Sequence, residues 1–193
     1  MSKASDTFEH SIKDAENLLK HFNTLHPGSG HPPAEVEVLK RAGLIMAMTA
    51  WETYVEDRLD ESLEARLVSL NDEKVAQLVR KKLADEISRL HNPTSERTLQ
   101  LFHEYADVDL SEKWKWTGVE PSDAKKRLNG YLKLRGDVVH RALKVTQGKT
   151  QAHPISKDDL KKALGFLRCL VQETEKALPS LVCTDAASSK IQL

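Results

Sequence analysis

The chain has 193 residues, with 29 Lys plus Arg against 29 Asp plus Glu and a mean hydropathy of −0.50. That length suits one compact domain with a real core, and the balanced charge excludes a global field drawing the chain to nucleic acid or membrane. Two cysteines, Cys169 and Cys183, cannot build a disulfide framework. With no apolar run near ~18 residues and no apolar leader in MSKASDTFEH, the expectation is a reducing, cytoplasmic setting without a membrane partner.

Helical periodicity dominates from the start. Phe8, Ile12, Ala15, Leu18, Leu19, Phe22 and Leu25 keep one face, with Asp6 as the expected N-cap and Glu9 three residues on. Pro27 and Gly28 break this helix. A second helical segment starts near Ala34 and is expected to run as far as Leu70. Its middle, Leu44 to Trp51, is apolar almost all round, which marks the most buried helix of the domain. Asn71 can cap a third helix with Val75, Leu78, Val79, Leu83, Ile87 and Leu90 on one side. His91 to Ser95 (HNPTS) is a break, followed by a short helix through Leu99, Phe102 and Tyr105.

Asp107 to Pro121 is the longest irregular connection and contains Lys113-Trp114-Lys115-Trp116. Interleaved Lys and Trp can stack bases; tryptophans in such a place can equally close a loop over the core. Asn129-Gly130 is a hairpin dipeptide when its flanks alternate, but here they keep a helical period, so the expectation is helix, with room for a kink. The last helix is the plainest: Ser156 caps, Asp159 stands at N3, Ile155 can staple to Leu160, and a stripe from Leu160 to Leu178 follows. The expectation is an all-α, up-and-down bundle of about five helices, one domain over residues 1–182 with a frayed polar tail over 183–193.

The stretch Ser122 to Lys144 organises the rest. Leu128, Tyr131, Leu132, Val138, Val139 and Ala142 form one helical stripe, and the position in its middle is Arg135. A guanidinium does not lose its proton, so Arg135 needs an anion, a carboxylate or a second chain. His140 lies roughly 140° round and about 7.5 Å up the axis. Between Pro121 and Thr150 eight basic residues face two acids. Lys126, Arg127, Lys133, Arg141 and Lys144 are therefore candidates for contacting a phosphate backbone locally; a solvated face complementing acidic helices is the other reading of the same charges.

Gly-rich phosphate loops, His-Glu-x-x-His and Cys-x-x-Cys pairs are missing from the sequence. The histidines lack metal-ligand spacing, so neither a metal nor a cofactor is expected. His suits proton transfer near neutral pH, and Arg suits a phosphate or phosphorane. Together on a basic helix, His140 and Arg135 make a minimal kit for cutting RNA. One His does not easily serve as both base and leaving-group acid, and a two-fold dimer through this helix would supply two of each. Glu52, directly after the apolar run, is a boundary residue that could pair with Arg135 internally.

Arg135-Gly136-Asp137-Val138-Val139-His140 is an Arg-x4-His motif late in a helical chain, and it resembles the HEPN superfamily. Leu39 to Glu61, running into Trp51-Glu52-x-Tyr54, is similar to the RiboL-PSP-type branch. The resemblance implies a metal-independent endoribonuclease, often a toxin or defence effector with a cognate antitoxin. Its active site would be composite across a homodimer, and its products a 2′,3′-cyclic phosphate and a 5′-OH. Carried over, Arg135 and His140 are catalytic.

Two positions depart from the family pattern. The residue after the Arg is commonly polar there and is Gly136 here, so Asp137 either takes that role or the site is degraded. Ala142 stands where one branch has a Tyr two residues after the His, which argues against regulation through such a Tyr. The rival reading is a non-catalytic helical module that binds RNA or protein through the same basic helix. A purely structural bundle would require Arg135 to be paired within the chain.

Overall fold

The computed structural model describes residues 2–178 except 29, 31 and 141–154, and of residue 140 the backbone alone. The elements are α1 (Lys3–Leu25), α2 (Ala34–Leu67), α3 (Glu73–Ile87), α4 (Ser95–Leu101, continued by a π-helical turn over Phe102–Ala106), α5 (Pro121–His140) and α6 (Lys157–Ala177). Among the described residues there is no strand, only an isolated bridge between Trp116 and Val119. The protein is an all-α bundle.

α2 is the axis. Its 34 residues span about 50 Å at ~1.5 Å per residue, ending at Leu67 rather than Leu70. Leu44, Ala47, Met48, Ala50, Trp51, Tyr54, Val55 and Leu59 are all buried, which is too wide an arc for a one-sided helix. α1 lies along it, α6 closes against both, and α5, α3 and the π-helical turn pack elsewhere on it. Gly43 permits the α1–α2–α6 approach: a Cβ there would come within 2.8 Å of Leu160 Cδ2 and 3.5 Å of the Ala15 carbonyl.

The helix ends follow local chemistry. Ser156 and Asp159 form the expected capping box. The N-cap of α1 is Ser2, not Asp6, because the helix begins earlier and Ser2 Oγ accepts from the Ser5 N–H at 3.0 Å. Asp72 rather than Asn71 caps α3, accepting from the Lys74 and Val75 N–H groups. Val75 and Leu78 of α3 are exposed, not core, since among the described residues α3 makes only a narrow contact with α2. α5 runs unbroken through Asn129-Gly130. Asn129 is spent on the neighbouring helix, its Oδ1 accepting from the Ser95 N–H at 2.9 Å and its amide donating to Ser95 Oγ and Glu96. Trp114 plugs the core: it is wholly buried, its Nε1 donates to Thr174 Oγ1 at 2.9 Å, and its ring meets Trp51 edge-on at 6.2 Å.

One buried polar knot ties the chain's start to its last helix. Glu175 Oε1 accepts from Tyr54 OH, Arg58 Nε and Ser2 Oγ, each at 2.9 Å. Arg58 is only 2% exposed and also donates to Ser62 Oγ at 2.7 Å. Burial and the Glu175 carboxylate together push the Tyr54 phenol well above its ordinary range. Removing the carboxylate takes an ion-pair partner from a buried guanidinium, and breaking such a pair costs about 3–5 kcal/mol. Glu175→Ala is expected to lose about that much unfolding free energy in urea denaturation, while Glu9→Ala, at the exposed Arg168 pair, loses under about 1 kcal/mol.

Candidate functional site

Burial along α5 stops where the site starts. Leu128 and Leu132 are core residues, Tyr131 and Val138 are half-buried, and Val139 is 50% exposed. The predicted apolar stripe therefore does not continue as core to Val139. Arg135 stands at the boundary where the stripe reaches the surface, and this is why a charged residue fits there.

Arg135 meets two partners, one from α2 and one from the connection between α3 and α4. Its Nη2 lies 3.7 Å from Glu52 Oε2, and its Nη1 donates to Asn92 Oδ1 at 3.4 Å. Glu52 in turn accepts the Asn92 backbone N–H on Oε1 at 3.1 Å. Asn92 has φ 66°, the left-handed region, which Asn tolerates better than most residues. The carboxylate thus pins a strained turn and presents its second oxygen to the guanidinium. Both contacts to Arg135 are longer than the ~2.7–2.9 Å of a tight charge-assisted bond. Its Nε is buried and has no hydrogen-bond partner among the described residues. The guanidinium is oriented at long distances and 24% of the side chain is exposed, so its exposed donors keep capacity for an anion.

Glu56, one turn beyond Glu52, is held above the usual carboxylate range first by burial and then by the charges of Glu52 and Asp57, with His91 acting the other way. Glu52, the partner of Arg135, is therefore within electrostatic reach of a second carboxylate, Glu56, which also feels the loop His91. Gly136 faces open space, with nothing within 4 Å of an added Cβ, so a polar side chain could be carried there. Asp137 is half-buried.

Of the remaining candidates, Lys126, Arg127 and Lys133 are exposed on α5. Lys126 and Lys133 stand about 160–180° round the helix from Arg135, so within one chain they do not converge on it. The side chain of His140, and Arg141, Ala142 and Lys144, lie outside the described residues. Asn92 escaped the sequence reading. The Asn-Pro dipeptide marks a turn, but only the tertiary structure brings that turn to Arg135. Among the described residues no group of three or more His, Cys, Asp and Glu is placed to hold a metal, and no helix is long and apolar enough to cross a membrane.

A family model described as RiboL-PSP-HEPN matches residues 7–180. That span takes in Glu52, Asn92, Arg135 and His140 together. No curated protein and no solved structure matches the chain.

Glu52→Gln removes the charge that helps to raise Glu56 while leaving an amide oxygen for the Asn92 N–H. The Glu56 titration, followed by NMR, is expected to move down toward the ordinary glutamate range without reaching it, because burial is the larger cause. A raised folded pKa means that the folded state holds its proton more tightly than the unfolded chain. The Glu56 contribution to stability therefore grows as pH falls through that pKa, and it shrinks in the variant.

Proposed function

The chain belongs to the RiboL-PSP-HEPN family, and from that premise we propose that it is a metal-independent endoribonuclease with a composite active site in a homodimer. The observation that carries this reading is the state of Arg135: aimed by Glu52 and Asn92 at long distances, part-exposed, and with Nε unpartnered among the described residues. A guanidinium kept in place only to balance Glu52 would be expected to close on it at hydrogen-bond distance.

In the proposed reaction, His140 takes the proton from a ribose 2′-OH and the 2′ oxygen attacks the adjacent phosphorus. Arg135 stabilises the added negative charge on the non-bridging oxygens, and the 5′ oxygen leaves with a proton. The products are a 2′,3′-cyclic phosphate and a 5′-hydroxyl. Two-fold pairing through α5 would supply a second Arg135 and a second His140, so base and acid come from different protomers. The exposure of Val139 beside this motif supports such pairing, because an apolar side chain there has something to gain from a second copy. The biological role that goes with this activity is a toxin or phage-defence effector acting in the cytoplasm, restrained by a cognate antitoxin.

A second reading draws on the Glu52–Arg135 ion pair and on Gly136: a non-catalytic module that binds RNA or protein through the same helix. Both readings take residues 1–182 as one functional unit with 183–193 as an appendage. The 179–193 segment lies outside the described residues.

His140→Ala and Arg135→Ala are each expected to lower RNA cleavage by at least about 100-fold, the usual scale for a general base or an oxyanion donor. Circular dichroism and dimer mass should stay those of the wild type, since the long, part-exposed Arg135 pair contributes under about 1 kcal/mol. Wild-type cleavage rates in both variants would overturn the catalytic assignment. Binding without cleavage by the wild type, weakened by Arg135→Ala and by salt but not by His140→Ala, would select the module reading.

A further inference from the structure

A second feature of α5 lies away from Arg135. Trp116, Arg127, Tyr131, Lys162, Phe166, Gly165 and Cys169 line an open groove of about 530 Å³ between α5, α6 and the loop before α5. Its floor is a continuous aromatic run, with Phe166 5.6 Å from Trp116 and 5.5 Å from Tyr131 between ring centroids. Phe166 is buried, whereas Trp116 and Tyr131 are only half-buried. The run therefore reaches solvent rather than ending as core. Gly165 opens the wall, since nothing lies within 4 Å of a Cβ added there. Two cations also line it, Arg127 from α5 and Lys162 from α6, and Arg127 is near enough to the Tyr131 phenol to oppose the upward push of burial and of Asp159 on it.

Half-exposed rings beside a guanidinium and an ammonium match the two faces of a nucleotide, a flat base to stack and a phosphate to neutralise. An apolar peptide would make no use of the two cations, and a bare anion would make no use of the rings. Arg127 lies two turns before Arg135 on the same helix, about 12 Å along the axis and some 80° round. A single strand can cover that interval in a few nucleotides.

We propose that this groove is an accessory subsite that holds one unpaired nucleotide of an RNA strand. The base lies against Trp116 and Tyr131, the phosphate lies between Arg127 and Lys162, and the strand leads from there toward Arg135. The proposal rests on the ribonuclease reading for its ligand, and it makes the enzyme one for single-stranded or looped RNA, because a base inside a duplex has no free face to stack.

The test uses the full-length chain and a fluorescein-labelled, 2′-O-methylated oligoribonucleotide without secondary structure, which has no 2′-OH to attack and so reads binding apart from cleavage. Trp116→Ala is expected to raise the Kd about tenfold, the scale of one lost base stack, and Trp116→Phe to stay within about threefold of wild type. Arg127→Ala should flatten the dependence of log K on log salt by about one contact's worth. It also covers the case in which Trp116→Ala fails to fold. The oligonucleotide should slow alkylation of Cys169, followed at its own peptide by mass spectrometry, whereas a duplex of the same sequence should not. Unchanged affinity in folded Trp116→Ala and Arg127→Ala, or Cys169 equally reactive with and without the strand, overturns the subsite. Such a result leaves the ribonuclease reading standing if natural RNA is still cut. Loss of the ribonuclease reading shows separately, as wild-type binding with no cleavage.

Discussion

A polar side chain at the edge of a buried helix face must find a partner, and α2 carries several along the edges of its broad buried face. Lys40 finds Glu37 on the same helix, and others reach further. Tyr54 and Arg58 find Glu175 and through it the first residues of the chain. Glu52 finds the turn at Asn92 and the guanidinium of Arg135. The first set closes the bundle, joining α1, α2 and α6. The second sits where α5 leaves the core. The requirement that stabilises the fold at one side of α2 thus orients the candidate site at the other.

The two sets differ in tightness. Around Glu175 the contacts are short and the guanidinium is nearly sealed from water. Around Arg135 the contacts are long, a quarter of the side chain is exposed, and one buried donor has no partner among the described residues. Saturating Arg135 would stabilise the fold slightly and would remove the capacity to receive a phosphate. An arginine that is positioned but under-satisfied is what electrostatic stabilisation of a transition state requires, because the donors are oriented before charge develops.

Much of this was legible in the sequence, since helical periodicity and capping are local. The apolar run of α2, the Ser156–Asp159 box and the helical reading of Asn129-Gly130 all depend on residues within a turn or two of one another. What failed was also physical. Asp6 looks like a cap until Ser2, one turn earlier, is given its own partner in Glu175 from the far end of the chain. Val75 and Leu78 have the right period to be buried, but no helix covers them among the described residues. Glu52 could be singled out as a boundary residue, whereas Asn92 could not, because a turn residue acquires meaning only when the fold brings it to Arg135. The Arg-x4-His spacing together with the Trp51-Glu52-x-Tyr54 helix pointed to the family, while the Glu52–Asn92 contacts around Arg135 needed the structure.

The most direct test of the account is the identity of the ends left on RNA cut by the purified wild-type protein in the presence of EDTA. A metal-independent attack by the 2′-OH predicts EDTA-resistant cleavage that leaves a 2′,3′-cyclic phosphate on one fragment and a 5′-hydroxyl on the other. Fragments carrying 5′-phosphates, or cleavage abolished by the chelator, would contradict it.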